Sequence, residues 1–128
     1  MAALIHLDTH VVAWLYADGA AALSRRAAVE LDGAGEVLCS PMARLELQYL
    51  REIGRFRDSP VEVFDALAAS IGLRICDAPF FAVTREAERQ TWTRDPFDRV
   101  IVAQAILDGA TLLTKDATVQ AAYDRAVW

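Results

Sequence analysis

Residues 95–116 read DPFDRVIVAQAILDGATLLTKD, and this stretch decides the fold. Asp95 followed by Pro96 is typical of a helix start, because an Asp side chain caps free N–H groups and proline fits the first turn. The next residues are apolar on almost every side, which predicts a largely buried helix that ends at Gly109. A short apolar strand at 111–114 follows, with a further acid at its end.

Asp98 is the unusual residue of this helix. Its neighbours at i+3 and i+4 are Ile101 and Val102, so its carboxylate points along an apolar face, whereas Gln104 and Asp108 mark a different and more solvated face. Burying a charge without a partner is costly, so the sequence predicts that other parts of the chain supply one.

The rest of the chain alternates predicted strands and helices. Apolar runs bounded by turn signals predict strands at 2–7, 37–39, 73–76 and 126–128. Caps and apolar periodicity predict helices at 11–17, 23–31, 42–53, 61–71, 80–92 and 116–123. This alternation indicates a three-layer α/β/α sandwich with a mostly parallel central sheet, and 128 residues suit one domain, 1–128.

Composition narrows the class of protein. With 55% hydrophobic and 24% charged residues, a compact globule is expected, and the net charge of −5 disfavours bulk electrostatic capture of nucleic acid. Cys39 and Cys76 form neither a zinc spacing nor a disulfide framework, which predicts buried thiols in a reducing compartment. The sequence offers no basic region followed by an apolar run and no stretch of membrane-spanning length, so we expect a cytoplasmic protein.

Three acids are expected at one edge of the sheet. Asp8 follows the first strand and Asp116 follows the strand at 111–114, and the carboxyl ends of parallel strands share an edge. Asp98 lies at a helix start, and helix starts in right-handed crossovers meet the same edge. Taken singly, Asp8 and Asp116 also fit ordinary helix caps, as Asp95 does, and Asp98 fits a first-turn acid.

Glu46 is a fourth candidate, on the helix predicted at 42–53. The helical wheel surrounds it with apolar residues: Met42, Ala43, Tyr49, Leu50 and Ile53. The pattern predicts that Glu46 lies near the centre of an apolar stripe, where a structural residue would be Leu or Ala. Converging carboxylates repel one another unless a cation joins them, and oxygen-only ligands favour Mg²⁺ or Mn²⁺ over zinc.

Some neighbours of these acids are candidates for supporting roles. The Thr114 hydroxyl, next to Asp116, fits a group that orients a metal-bound water. Arg99 and Lys115 fit groups that guide phosphates, although both also fit solvated charges. His6 and His10 remain open as ligands, bases or packing residues.

In these motifs the chain resembles the PIN-domain ribonucleases, and specifically the VapC-type toxins of bacterial type II toxin–antitoxin pairs. The resemblance covers essentially the whole chain and rests on four motifs: Leu7-Asp8-Thr9-His10, Glu46 after Ser40-Pro41, Asp95-Pro96-Phe97-Asp98-Arg99 with Ala103-Gln104-Ala105, and Leu113-Thr114-Lys115-Asp116. Each motif alone is unspecific, but the four in this order make a strong signal.

The resemblance implies a function and partners. It implies that Asp8, Glu46, Asp98 and Asp116 bind Mg²⁺ or Mn²⁺ and activate water against an RNA phosphodiester, with Asp95 less secure. It also implies a small antitoxin protein that blocks the acidic pocket, often with a basic side chain, and a homodimer.

Two other functions compete with the nuclease. A haloacid-dehalogenase-like phosphatase also has an Asp after its first strand, but it needs a second Asp two positions later, where this chain has His10. A non-catalytic receiver or adaptor domain uses acids at strand ends but has no need of Glu46.

Overall fold

A computed structural model describes residues 3–128 of the chain. Within these residues the strands are β1 (Ala3–Leu7), β2 (Ala34–Cys39), β3 (Arg74–Ile75), β4 (Thr111–Leu113) and β5 (Ala126–Val127). The α-helices of the same range are α1 (Thr9–Asp18), α2 (Arg25–Asp32), α3 (Pro41–Glu52), α4 (Pro60–Ile71), α5 (Phe80–Glu88), α6 (Pro96–Asp108) and α7 (Ala117–Ala122). A short 3₁₀ helix, Gly19–Ala22, joins α1 to α2.

The strands form a single sheet in the order β3-β2-β1-β4-β5, and every neighbouring pair is parallel. The predicted α/β/α sandwich is therefore confirmed. Leu7 of β1 pairs with Leu113 of β4, so these two strands end side by side at the same edge. That register brings the residues after both strands together.

Helix α6 lies at the centre of the packing, as its apolar sequence predicts. It packs against β1, β4, α3 and α5, and its middle turns are buried on several sides. Ile101 and Val102, next to Asp98 on the helix surface, are 2% and 0% exposed. The helix ends where Gly109 adopts a left-handed conformation (φ 61°), which glycine reaches without the steric cost of a Cβ.

The prediction of a solvated face at Gln104 was wrong. Gln104 is only 3% exposed, and its Oε1 accepts a hydrogen bond from the buried Ser40 hydroxyl. Asp108, on the same face, is partly buried and accepts a hydrogen bond from His6. Both side chains find polar partners inside the protein, and only Asp108, at the end of the helix, also reaches solvent.

Several predicted boundaries also shift. Helix α5 ends at Glu88 instead of continuing to Trp92. The buried Gln90 side chain then joins the helix to the following loop, because its amide donates to Glu86 and its Oε1 accepts from the Trp92 indole N–H (2.9 Å). Helix α2 starts two residues late, since the Ser24 side chain caps it. Strand β2 begins at Ala34, three residues earlier than predicted, and Ala2 of the predicted first strand lies outside the described residues.

The helices found within residues 3–128 are all too short, or not apolar enough, to cross a lipid bilayer.

Candidate metal centre

Asp8 lies at the end of β1, where the chain turns into α1. The Thr9 N–H donates to its Oδ1 (2.7 Å), and the buried Thr114 hydroxyl donates to its Oδ2 (2.6 Å). Burial raises the pKa of the Asp8 carboxyl, and the hydrogen bonds from Thr114 and Thr9 counteract part of this rise. Asp8 thus caps a helix and also presents a constrained carboxylate at the sheet edge.

Glu46 reaches the same place from α3. The hydroxyl of Thr9, which is fully buried, donates to Glu46 Oε1 at 2.5 Å. Burial raises the pKa of Glu46, the Thr9 hydrogen bond lowers it, and the nearby charges of Asp8 and Asp95 raise it further. Thr9 of α1 therefore fixes the direction of the Glu46 carboxylate on α3.

The reason given for Glu46 from the helical wheel was wrong, although its side chain does reach the acids. The buried residues of α3 are Ala43 and Leu47, whereas Tyr49 and Ile53, assigned to the same stripe, are 48% and 47% exposed. Glu46 is half-buried beside the core-facing side of α3. A wheel counts apolar neighbours but does not show which of them the sheet covers.

Asp95 and Asp98 come from the start of α6. Asp95 Oδ1 accepts hydrogen bonds from the N–H groups of Phe97 (2.8 Å) and Asp98 (3.4 Å), which leaves Oδ2 available. Asp98 is half-buried, and its pKa is raised to about 7, first by burial and then by the charges of Asp95, Asp8, Glu46 and Asp116. A carboxylate charge raises the pKa of another carboxyl group only when the two lie close together, so these acids form a cluster.

Asp116 completes the group from the start of α7. Its Oδ1 accepts hydrogen bonds from Thr118 N–H (2.8 Å) and Val119 N–H (3.3 Å), so it too is a helix cap with a second oxygen available. Thr114 links it to Asp8: the Asp116 N–H donates to the Thr114 Oγ1 (3.1 Å), whose own hydroxyl donates to Asp8. The Thr114 hydroxyl thus donates its one proton to the Asp8 carboxylate.

One cavity of about 470 Å³ holds all of these acids: Asp8, Glu46, Asp95, Asp98 and Asp116. Its rim also includes His10, Trp14 and Lys115, and Lys115 Nζ lies 5.9 Å from the centre of the Trp14 ring. Lys115 is the one Lys or Arg that lines it among the described residues. Hard oxygen donors with excess negative charge fit Mg²⁺ or Mn²⁺, because a divalent ion offsets the repulsion that raises their pKa values.

Two predicted residues lie elsewhere. Arg99 does not line the cavity, and its Nε donates to the Thr93 carbonyl (2.9 Å), which orders the loop before α6. His6 points away from the acids and bonds to Asp108 at the far end of α6. A larger cavity of about 880 Å³, between α2, β2 and the end of α4, contains none of the clustered acids.

Sequence reasoning missed Thr9. Nothing in its spacing marks it, but a fully buried hydroxyl in the first turn of a helix must find an acceptor. Since Asp8 was already a candidate, the adjacent Thr was a signal that could have been followed.

Comparisons with known proteins concern the family and the fold of the chain. The PIN-domain family model matches residues 5–125. A chain of the structure of VapBC2 from Rickettsia felis, bound to a DNA fragment from their promoter, is similar in fold, with a TM-score of 0.66, 17% sequence identity, and coverage of 93% of this chain and 92% of that chain. A chain of a toxin–antitoxin complex from Klebsiella pneumoniae has a TM-score of 0.64, 18% identity, and coverage of 98% and 96%.

No curated protein matches the sequence. The expected likeness to the toxins of VapBC pairs is nevertheless confirmed in the fold, and the family match spans nearly the whole chain. The chain belongs to the PIN-domain family.

Proposed function

We propose that this chain is a divalent-metal-dependent endoribonuclease that acts as the toxin of a toxin–antitoxin pair, with residues 1–128 as a single nuclease domain. The observation that carries the proposal is the convergence of five carboxylates in one cavity, three of which (Asp8, Glu46 and Asp98) have raised pKa values. Membership of the PIN-domain family disfavours the phosphatase alternative.

In this proposal Asp8, Glu46, Asp98 and Asp116 hold Mg²⁺ or Mn²⁺, and Asp95 supports them. When bound, the ion supplies Lewis-acid chemistry, which activates a water and stabilises charge on the phosphodiester. Thr9 and Thr114 hold two of the carboxylates in fixed directions. Lys115, at the rim, provides a positive charge for a backbone phosphate, and the adjacent Trp14 ring offers an apolar face to a base.

The partner of the proposed toxin is a small antitoxin with a basic side chain that enters the acidic cavity. A net charge of −5 and a cavity lined by acids favour a basic partner electrostatically. The toxin itself is proposed to be a homodimer, for which large exposed apolar side chains on α3 and α5, such as Leu45 and Phe80, offer surface. The two buried free thiols in the described chain suit the cytoplasm.

The test is cleavage of a single-stranded RNA by the purified protein. We expect cutting with Mg²⁺ or Mn²⁺ and none in excess EDTA, because the carboxylates supply no nucleophile of their own. Asp98→Asn should abolish cutting. Asp65→Asn, which neutralises an exposed acid on α4, is the matched control and should cut like the wild type.

Undiminished cutting in EDTA or by Asp98→Asn would overturn the metal mechanism. Cutting of single-stranded DNA of the same sequence, with RNA spared, would overturn the substrate class. No cutting of total RNA under any metal condition would favour the non-catalytic alternative.

A further inference from the structure

A second group of potential metal ligands lies outside the acidic cavity. It consists of His6 on β1, Cys76 just after β3, and Asp108, the last residue of α6. One ligand atom from each residue lies within 4.8 Å of the others. The three residues are far apart in sequence, so no ligand spacing marks them, and only the order β3-β2-β1 with α6 across it brings them together.

The three side chains already contact one another through Asp108. His6 Nε2 lies 2.7 Å from Asp108 Oδ2, and the Cys76 thiol lies 3.5 Å from the same oxygen. His6 and Cys76 are 1% and 5% exposed, whereas the Asp108 side chain is 24% exposed. The group is therefore closed on the protein side and open to solvent at Asp108, which provides an entry path for an ion.

An independent observation concerns the second nitrogen of His6. Within residues 3–128, His6 Nδ1 is the one fully buried side-chain nitrogen or oxygen that lacks a hydrogen-bond partner. Among the described residues, Asp108 is therefore the one side-chain partner of the ring, and it contacts Nε2, the nitrogen that faces the cluster. A neutral imidazole always has one unprotonated nitrogen, which is the form that binds a metal.

We propose that His6, Cys76 and Asp108 form a second metal site, which takes a thiolate-binding divalent ion of the zinc type. Thiolate and imidazole are ligands that zinc prefers and Mg²⁺ does not. Ligand bonds of about 2.0–2.3 Å place tetrahedral ligand atoms roughly 3.5 Å apart. The Cys76 sulfur already lies 3.5 Å from Asp108 Oδ2, whereas His6 Nε2, at 2.7 Å from the same oxygen, must move apart from it to admit an ion. A water on the exposed side fills the fourth position.

The charges and protons of the site balance. Burial raises the pKa of the Cys76 thiol, so the metal-free group is an uncharged thiol. Binding releases that one proton to solvent, and the resulting thiolate and the Asp108 carboxylate neutralise the two positive charges of the ion. When Nε2 binds the ion in place of its hydrogen bond to Asp108, the single imidazole proton moves to Nδ1, so the ring stays neutral.

The two sites of the chain would select different ions. Asp98 and Asp108 lie ten residues apart on α6, about 15 Å along the helix at 1.5 Å per residue. The acidic cavity offers only hard oxygen ligands from its acids, whereas the second site offers sulfur and nitrogen. An ion at the second site joins β1, the segment after β3 and the end of α6, and so fixes the helix that carries Asp98.

Cobalt(II) is the probe, because a thiolate ligand gives it a charge-transfer band in the near ultraviolet that oxygen ligands do not. Reduced, metal-free protein is titrated with Co²⁺ in the presence of excess Mg²⁺, which competes for the acidic cavity. We expect the thiolate band to saturate at one Co²⁺ per chain and to disappear when Zn²⁺ is added.

Variants assign the band to the cluster. Cys76→Ser should abolish it, whereas Cys39→Ser, which changes the other buried cysteine, and Asp98→Asn should retain it. Asp108→Asn changes a partly exposed residue and should preserve the fold while weakening Zn²⁺ binding by at least about tenfold. Circular dichroism in EDTA shows whether each variant is folded.

No thiolate band in the wild type, or a band that survives Cys76→Ser, would overturn the site. Unchanged Zn²⁺ affinity in folded Asp108→Asn would also overturn it, and the cluster would then be a set of buried hydrogen bonds only.

Discussion

At the scale of single residues, Asp98 shows what the cavity does to its acids. Burial, together with the charges of Asp95 and Asp8, raises its pKa to about 7. In the unfolded chain the same carboxyl titrates near its ordinary value of about 3.9. Between these two values the folded protein binds more protons than the unfolded one, so this carboxyl destabilises the metal-free fold as the pH rises.

Replacing Asp98 by Asn should therefore change stability in a pH-dependent way. In EDTA, we expect wild type and variant to differ least at about pH 3 and below, where the carboxyl is mostly protonated in both the folded and the unfolded state. The free energy of unfolding of the variant should exceed that of the wild type increasingly as the pH rises from about 4 to about 7. Urea unfolding across this range measures the difference, and a constant difference at all pH values would contradict the raised pKa.

Thr9 is expected to affect the proposed metal centre through Glu46. Its hydroxyl donates to Glu46 Oε1 at 2.5 Å, and Thr9→Val removes the donor while keeping the shape of the side chain. Groups that orient a ligand typically contribute about 10- to 100-fold to metal affinity or activity, so we expect weaker Mg²⁺ binding and slower RNA cleavage by that factor.

Isothermal titration and a cleavage assay measure both effects. Thr84→Val removes a hydroxyl that donates to a carbonyl within α5, and it is the control that should leave both unchanged. Equal Mg²⁺ affinity in Thr9→Val and wild type would show that Thr9 is a packing residue.

At the scale of elements, Ser40 joins α3 to α6. Its hydroxyl oxygen accepts the Met42 N–H (3.0 Å) as the cap of α3 and donates to the buried Gln104 of α6. Ser40→Ala removes the cap and leaves a buried amide oxygen without its donor. Loss of a cap costs about 1 kcal/mol, and the unpaired amide adds roughly 1–2 kcal/mol.

Ser59→Ala removes the cap of α4 in the same way, but its hydrogen bonds are solvent-exposed. We expect it to lower the free energy of unfolding by about 1 kcal/mol only. Urea unfolding of the two variants gives the comparison. If Ser40→Ala lowers the free energy of unfolding by no more than Ser59→Ala does, the hydrogen bond between Ser40 of α3 and Gln104 of α6 does not contribute to stability.

Helix and strand identities followed from the sequence because capping and periodicity are local. Asp95 caps α6 where the sequence indicated a start, and three further caps lie within two residues of a predicted helix start: Ser24, Ser40 and Asp116. The β1–β4 pairing put Asp8 and Asp116 at one edge as expected. The prediction that failed concerns burial, which depends on the elements that pack against a helix. The buried face of Gln104 is set by Ser40, 64 residues away in sequence, and no local pattern contains that contact.

At the scale of the whole molecule, the convergence of the acids depends on strand order. Taken singly, Asp8, Asp95 and Asp116 fit helix caps, which they are in the structure, and Asp98 fits a first-turn acid. The rule that strand ends and helix starts meet at one edge predicted that Asp8, Asp98 and Asp116 converge, and the resemblance to a family implied their shared role in metal binding. The second cluster, His6 with Cys76 and Asp108, was not foreseen, because its ligands meet only after the sheet and α6 are assembled.

Production of the chain in a bacterial host should slow growth if the proposed toxin function holds. Asp98→Asn should allow normal growth at equal protein level, because it removes a proposed metal ligand without removing a core side chain. Asp65→Asn should be as harmful as the wild type. Growth curves measure the toxicity and immunoblots measure the protein level. Equal toxicity of Asp98→Asn and wild type would show that the toxicity does not depend on the acidic cavity.

Glu46→Gln tests most directly whether the converging carboxylates form a metal centre. The change keeps the shape of the side chain and removes one of the charges that oppose one another, so metal-free stability should hold or rise slightly. At tenfold excess over its dissociation constant, Mg²⁺ should stabilise the wild type by about 1.4 kcal/mol, which is a few degrees of melting temperature.

Thermal melts with and without Mg²⁺, run beside an RNA cleavage assay, are the decisive measurement. Glu46→Gln should lose most of the Mg²⁺ shift and most of the cleavage together, whereas Glu88→Gln, at the exposed end of α5, should keep both. A Glu46→Gln protein that melts well below wild type without metal, yet gains the full Mg²⁺ shift, would show that Glu46 is a structural residue and that the metal centre is misassigned.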